Sequence, residues 1–413
     1  MSSSSSIADY RSALTAPGAG LPALASAVAR LPIAMIGLAT LLYVQRTTGS
    51  FALAGLVSAG MLIGVSLGSV AQGRVIDRVG PTRPLLVAAV AQAAAGITLI
   101  VAIESRASVL TLVVCAAAVG LTQPAIPGSS RALWTRLVPP GRLRDAAFSY
   151  EAISLEVFFI LGPSMAALLS ATAWPGIGTA VALTATVVGS VGFALTHAVR
   201  THRPAPSLRS GGAFGALASS GLRTVVLASL GFGLVIGTVE VGVPAVTAAM
   251  GSAALGGVLL SAWSVASVLA GVLYSMHPWP RPLNLRLPVL LLAFAVCVAG
   301  MAVAGPLPAL VVAMLLAGAT ITPQVTAQSL GVEATAPVGT ATEAFGWVVT
   351  AATLGLSVGQ SSAGLVVQAA GPHAAFLVGG GAGLVVAMLL WVRRASLVPP
   401  PLPAQVVQLS AHR

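Results

Sequence analysis

Twelve apolar stretches, each close to 20 residues long, follow one another along this chain at approximately 22–44, 52–73, 84–103, 108–128, 147–170, 176–197, 224–246, 254–275, 287–304, 308–329, 344–368 and 374–392. A helix rises 1.5 Å per residue, so each run is long enough to cross a hydrocarbon layer of about 30 Å. Only 7% of the 413 residues are charged, against about a quarter in a soluble globular chain. Too few polar side chains exist to coat a water-soluble globule, and the expected fold is an all-α membrane protein of twelve transmembrane helices surrounded by lipid.

The formal charge is +11, and every basic residue is arginine. A nucleic-acid binder would gather such charge on one face with stacking aromatics. Here the arginines sit in short gaps between apolar runs. With the N-terminus inside, Arg11, Arg74, Arg78, Arg83, Arg131, Arg136, Arg142, Arg144, Arg200, Arg203, Arg209, Arg223, Arg281, Arg286, Arg393, Arg394 and Arg413 fall on the inner side, and Arg46 and Arg106 on the outer. That asymmetry follows the positive-inside rule. It predicts a multi-pass protein of the plasma membrane with both termini cytoplasmic, and arginine used without lysine suggests a GC-rich, bacterial genome. Cys115 and Cys297 lie inside apolar runs and form no metal-ligand or redox spacing.

Residues 1–20 are polar and small and read as a cytoplasmic tail. A basic segment rich in Pro, Gly and Ser, 199–222, reads as a linker between six-helix bundles at 21–198 and 223–392, with 393–413 a second tail. The halves echo each other. Pro140, Ala147-Phe148 and Gly162 recur at the same spacing as Pro337, Ala344-Phe345 and Gly359, and SFALAG (50–55) is echoed by SAALGG (252–257). Internal repeats are frequent in transporter folds.

The gap between the second and third runs, GRVIDRVGPTR, packs Arg74, Asp77, Arg78 and Arg83 into eleven residues. Gly73 permits close backbone approach, Gly80-Pro81 supplies a turn, and Asp77 can accept charge-assisted hydrogen bonds from Arg78 or Arg83 or face a helix N-terminus. The pattern Gly73, Asp77, Arg78, Gly80, Arg83 resembles the loop 2–3 signature of the major facilitator superfamily, with Thr82 where a second basic residue is common. The resemblance implies two pseudo-symmetric six-helix bundles. It also implies that this loop clasps the other half near helix 11 and holds an outward-open state, with Asp77 as acceptor and Arg78 and Arg83 its local partners. The alternative is a loop that only sets orientation.

Ionisable groups inside spans are costly and usually paired or functional. Arg30 and Glu156 each lie about nine residues into their runs, which predicts an ion pair that is either a structural tie or a proton-sensitive switch. Glu151 lies nearer the inner end and reads as reaching the headgroups. Glu240, before Pro244, sits on a run that in the superfamily lines the central cavity; by that resemblance it meets substrate or carries a proton, and otherwise it faces water at the outer interface. Gly162-Pro163 opens GPSMAA, which resembles part of the antiporter signature of drug exporters, with Ala166 and Ala167 in place of glycines and Phe158 where a glycine is expected; the competing reading is a plain helix-5 kink. Gln123, Gln324 and Gln328 fall on expected cavity helices, as ligand contacts or interhelical glue, and Pro124, Pro127 and Pro323 are expected to break those helices locally.

No phosphate-binding loop, HExxH or GxSxG with partners is present, so neither an ATP-driven pump nor an enzyme is expected, and no cofactor or metal. The expected function is secondary active transport by alternating access, as proton-coupled efflux of small amphipathic or hydrophobic compounds. The expected partners are a small-molecule substrate, protons and membrane lipid, with no nucleic acid, and the chain is expected to act as a monomer. An importer or facilitator of a sugar or other metabolite is the alternative on the same fold.

Overall fold

The computed structural model describes residues 7–201, 215–251, 253–276, 282–305 and 307–398. Among these, twelve spans are long and apolar enough to cross a membrane. A short helix α1 (Ile7–Leu14) precedes them. The first bundle contains α2 (Gly20–Thr48), α3 (Phe51–Val79), α4 (Thr82–Glu104), a fourth span built from α5 (Val109–Thr122) and α6 (Ile126–Leu137), α7 (Arg142–Ser170) and α8 (Ile177–Leu195), followed by the single turn α9 (His197–Arg200). The second contains α10 (Ser220–Ala249), α11 (Ala253–Met276), α12 (Leu283–Met301), α13 (Leu307–Thr335), α14 (Ala341–Ala370) and α15 (Pro372–Arg393). Most of the 199–222 linker, with Arg203 and Arg209, lies outside the described residues, as do Arg281 and Arg413.

Several helices outrun the apolar runs that announce them. α3, α7 and α13 are 29 residues long, about 43 Å at helical rise, so they extend beyond the hydrocarbon at the arginine-rich end. Local chemistry sets their limits. Ser50 caps α3 by accepting the Leu53 N–H at 3.2 Å, and Gly80, at φ +88°, ends it. In the fourth span the helix is interrupted between Thr122 and Ile126, around Pro124, as expected. Pro323, by contrast, lies inside the unbroken α13, and Pro163 inside the unbroken α7. The residues read as a tail also include more order than expected: in α1, Ala13 is buried and Tyr10 reaches the second bundle.

Small residues set the helix spacing within each bundle. A Cβ at Gly64 of α3 would lie 2.1 Å from the Ala117 carbonyl oxygen of α5, and one at Gly120 of α5 2.0 Å from the Met61 carbonyl. Backbone cannot yield as a side chain can. Gly64→Val is expected to force α3 and α5 apart and to collapse the yield of monodisperse protein in size-exclusion chromatography. The internal repeat has a packing meaning. Gly162 of α7 lies against Ala34 and Met35 of α2, while its counterpart Gly359 of α14 lies against Leu234 of α10. Each thus lets the fifth span of its half approach the first.

The bundles meet through α3 with α14, α7 with α11 and α13, and α6 with α14, whereas α2 and α10 make their substantial contacts inside their own bundles.

Candidate functional site: the interface between the bundles

At the arginine-rich end, Asp77 caps a helix of the opposite bundle. Its two carboxylate oxygens accept the backbone N–H groups of Thr342 at 3.0 Å and Glu343 at 2.8 Å, in the first turn of α14. Those donors have no partner within their own helix, and the positive end of the helix dipole favours an anion there. Gly73 makes the approach possible, because a Cβ would lie 2.8 Å from the Glu343 Cα. Arg78 and Arg83, expected to pair with Asp77, are instead exposed. Water can hydrate a guanidinium at the headgroup boundary, whereas nothing else supplies the orphan N–H groups of α14. The arginine that does bridge is Arg74, whose Nε donates to Glu343 Oε1 at 2.8 Å. The same oxygen accepts from Trp347 Nε1 and from the Ala216 N–H, tying the end of the linker to the first turn of α14.

Further contacts seal this end. Arg144 of α7 pairs with Glu333 of α13, and Tyr10 of α1 hydrogen-bonds Ser275 of α11. Tyr10 lies outside the spans; burial pushes its phenol pKa up, keeping it neutral. The repeat-related Phe148 and Phe345 meet edge to face, with centroids 6.5 Å apart. Deeper in, Ser69 and Thr350 join α3 to α14 at 3.0 Å, and Glu156 of α7 lies beside Ser267 of α11, whose hydroxyl pairs with Thr322 of α13 at 2.9 Å. Among the described residues, no hydrogen bond or ion pair joins the two bundles in the half farther from the arginines.

The buried ion pair of the first bundle is Arg30 with Glu151, not with Glu156. Arg30 Nη1 lies 2.7 Å from Glu151 Oε2, and the two side chains are 1% and 0% exposed. The other carboxylate oxygen accepts from Ser130 Oγ at 2.7 Å and Trp134 Nε1 at 2.9 Å. Glu151 therefore does not reach the headgroups. The register explains both corrections. Arg30 stands ten residues after the start of α2, and Glu151 nine after the start of α7, against fourteen for Glu156; α7 begins well before its apolar run. Arg131, read as an orientation signal, is also buried, its guanidinium over the ring of Phe345 at 5.8 Å.

Glu240 of α10 accepts from Gln360 Nε2 of α14 at 2.8 Å, a contact within the second bundle. Gln123 sits at the break in the fourth span. Its carbonyl and that of Leu121 accept from Gln72 Nε2, each at 2.9 Å, and Gln72 Oε1 accepts the Ala125 N–H. Gln72 thus splints the backbone groups that Pro124 leaves free. Gln328 accepts from Ser229 at 3.2 Å. Gln324 is fully buried, and its amide has no hydrogen-bond partner among the described residues. Glu343, Glu333, Gln72, the bridging role of Arg74 and the burial of Arg131 escaped the sequence reading. The usable signal was scarcity: the chain has nine acidic residues in all, and each one beside a span deserved a partner.

No curated protein sequence matches the chain. Solved structures of other transporters share its fold at low identity. The human organic anion transporter MFSD10 (TETRAN) is 16% identical over 91% of this chain and 99% of its own, with a TM-score of 0.71. A bacterial homologue of the iron transporter ferroportin, in an outward-facing state, is 15% identical over 92% and 98%, with a TM-score of 0.71. The proton:xylose symporter XylE is 15% identical over 90% and 96%, with a TM-score of 0.68. The family model of the Major Facilitator Superfamily matches residues 23–360. With its twelve spans, paired bundles and Asp77 motif, the chain belongs to the Major Facilitator Superfamily and is a transporter, not an enzyme.

Proposed function

We propose that the chain is a secondary active transporter that exports small amphipathic or hydrophobic compounds in exchange for protons. On this reading it sits in a bacterial plasma membrane, as a monomer, with its arginine-rich end and both termini in the cytoplasm. The observation that carries the reading is the one-sided interface: among the described residues, hydrogen bonds and ion pairs join the bundles from the middle of the spans to the arginine-rich end and not beyond. With the arginine-rich end taken as cytoplasmic, this is the arrangement expected of a state closed to the cytoplasm, and alternating access then requires the Asp77, Arg74 and Arg144 contacts to break.

Glu156 is assigned the coupling role. It has no salt-bridge partner among the described residues, and it lies beside Ser267 of the opposite bundle. Parting the bundles exchanges that contact for water, the change of surroundings that lets a carboxyl gain or lose a proton. The Arg30–Glu151 pair lies within one bundle and holds it together. Glu240, bonded to Gln360, and the uncompensated amide of Gln324 are assigned to the substrate pathway, with Gln123 and Gln328 beside it.

The test is transport in proteoliposomes under an imposed pH gradient, with hydrophobic dyes as candidate substrates. Exchange of substrate against protons is expected, and Glu156→Gln is expected to leave transport that no longer responds to the gradient. Substrate and protons moving in the same direction would instead make the chain an importer.

A further inference from the structure

The first bundle buries two guanidinium groups and one carboxylate. Arg30 is 1% exposed, Arg131 6% and Glu151 0%. Arg131 follows Ser130, whose hydroxyl donates to Glu151 at 2.7 Å, yet Arg131 itself forms no ion pair among the described residues. Of the other acidic groups on α7 and α13, Glu333 is paired with Arg144, and Glu156 forms no ion pair with Arg131 or any other cation among the described residues. One positive charge is therefore uncompensated in a low-dielectric interior, where an unpaired ion costs several kcal/mol. Two donors point to what is missing. Arg30 Nη2 and Arg131 Nε are both buried and without a hydrogen-bond partner. Arg30 Nη1, by contrast, is turned to Glu151 and Ser154, and Nε to the Ser26 carbonyl.

The surroundings are aromatic. Phe158 lies under Arg30 and Phe345 under Arg131, each with its centroid 5.8 Å from the guanidinium carbon. Phe345 belongs to α14 of the opposite bundle and packs on Phe148. It is held there by the Asp77 latch, three residues or fewer along the same helix. Separating the bundles at the arginine-rich end removes this cover from Arg131 and leaves Arg30 in place.

We propose that Arg30 and Arg131 form a binding site for the head of an amphipathic organic monoanion, a carboxylate or sulfonate with an apolar tail, which opens to the arginine-rich face when Phe345 withdraws. The anion supplies the missing charge and accepts from the two free donors, and its tail lies against the phenylalanines. This rests on the transporter reading above and narrows its substrate class.

The test uses the full chain in phosphatidylcholine nanodiscs and follows the thermal unfolding midpoint with octanoate, octanol or octylamine. Octanoate is expected to raise the midpoint by about 2 °C or more, as a ligand of the native state must. Octanol and octylamine are not. Arg131→Gln is expected to abolish the shift, Arg131→Lys to retain part of it, and Arg200→Gln, at an exposed position, to leave it whole. An Arg131→Gln protein that responds like the unaltered chain overturns the site. A shift produced equally by sodium chloride, with nothing added by octanoate, overturns the organic anion in favour of an inorganic one. Should Arg131→Gln not fold, an Arg144→Cys/Glu333→Cys pair joined by a short bismaleimide holds the bundles closed; the octanoate shift is expected to vanish on joining, and its persistence overturns the proposal. Octanoate binding without proton-driven transport would remove the coupling reading and keep the site, while proton-coupled transport blind to ligand charge would do the reverse.

Discussion

Replacing Glu151 with leucine is expected to cost more stability than any other single change to a charged residue in this chain. The carboxylate is fully buried, bonded to Ser130 and Trp134 through one oxygen and paired with Arg30 through the other. Breaking a buried pair by removing one partner costs about 3–5 kcal/mol, because the surviving charge is left uncompensated. Here two cations would survive, Arg30 and Arg131. Purified Glu151→Leu protein is expected to be scarce, with an unfolding midpoint well below that of the unaltered chain. Glu156→Leu, which strands no cation, is expected to be far milder. The double variant Arg30→Met/Glu151→Leu is expected to recover part of the loss, since apolar replacement of a whole buried pair is often tolerated. A double-mutant cycle on the midpoints measures the coupling. Equal midpoints for Glu151→Leu and Glu156→Leu would contradict the assignment.

Asp77→Asn is expected to leave the fold intact and disable the cycle. Asparagine keeps one acceptor but turns an NH2 toward an N–H of α14, and it removes the charge that the helix end favours. Hydrogen bonds to a charged group contribute about 1.5–3 kcal/mol each, so losing one shifts the balance between closed and open states by roughly tenfold or more. Asp77 makes these bonds between bundles, not inside one, and the unfolding midpoint is expected to change little. Transport in vesicles is expected to fall severalfold or more, with the population displaced toward the state open at the arginine-rich end. Normal rates with an unmoved population would remove the latch.

The architecture was legible because lipid imposes a length and a polarity on each span, and both are written as runs of apolar residues. The break at Pro124 was legible for the same reason, since proline carries its own geometry. Gly73 and Asp77 were legible as a motif, and Asp77 does face a helix N-terminus. What failed was register. The true start of α7 at Arg142 is polar and precedes the apolar run, so counting from the apolar edge shifted Glu151 and Glu156 relative to Arg30. Partnerships across the interface were invisible for a different reason. Glu343 and Arg74 are 269 positions apart, and nothing local in either segment announces the other. Arg131 shows a further limit: a basic residue near the end of a span serves orientation equally well whether it faces water or the interior.

The central claim is that the two bundles rock about the middle of the interface, with the arginine-rich end closed in the state described. The direct measurement is pulsed electron–electron resonance on two spin-label pairs in proteins freed of Cys115 and Cys297. One pair, Arg78→Cys with Val338→Cys, reports the arginine-rich end, and the other, Ser105→Cys with Ala370→Cys, the far end. On shifting pH or adding Asp77→Asn, the first distance is expected to lengthen while the second shortens. Distances that stay fixed at both ends, or lengthen together, would contradict it.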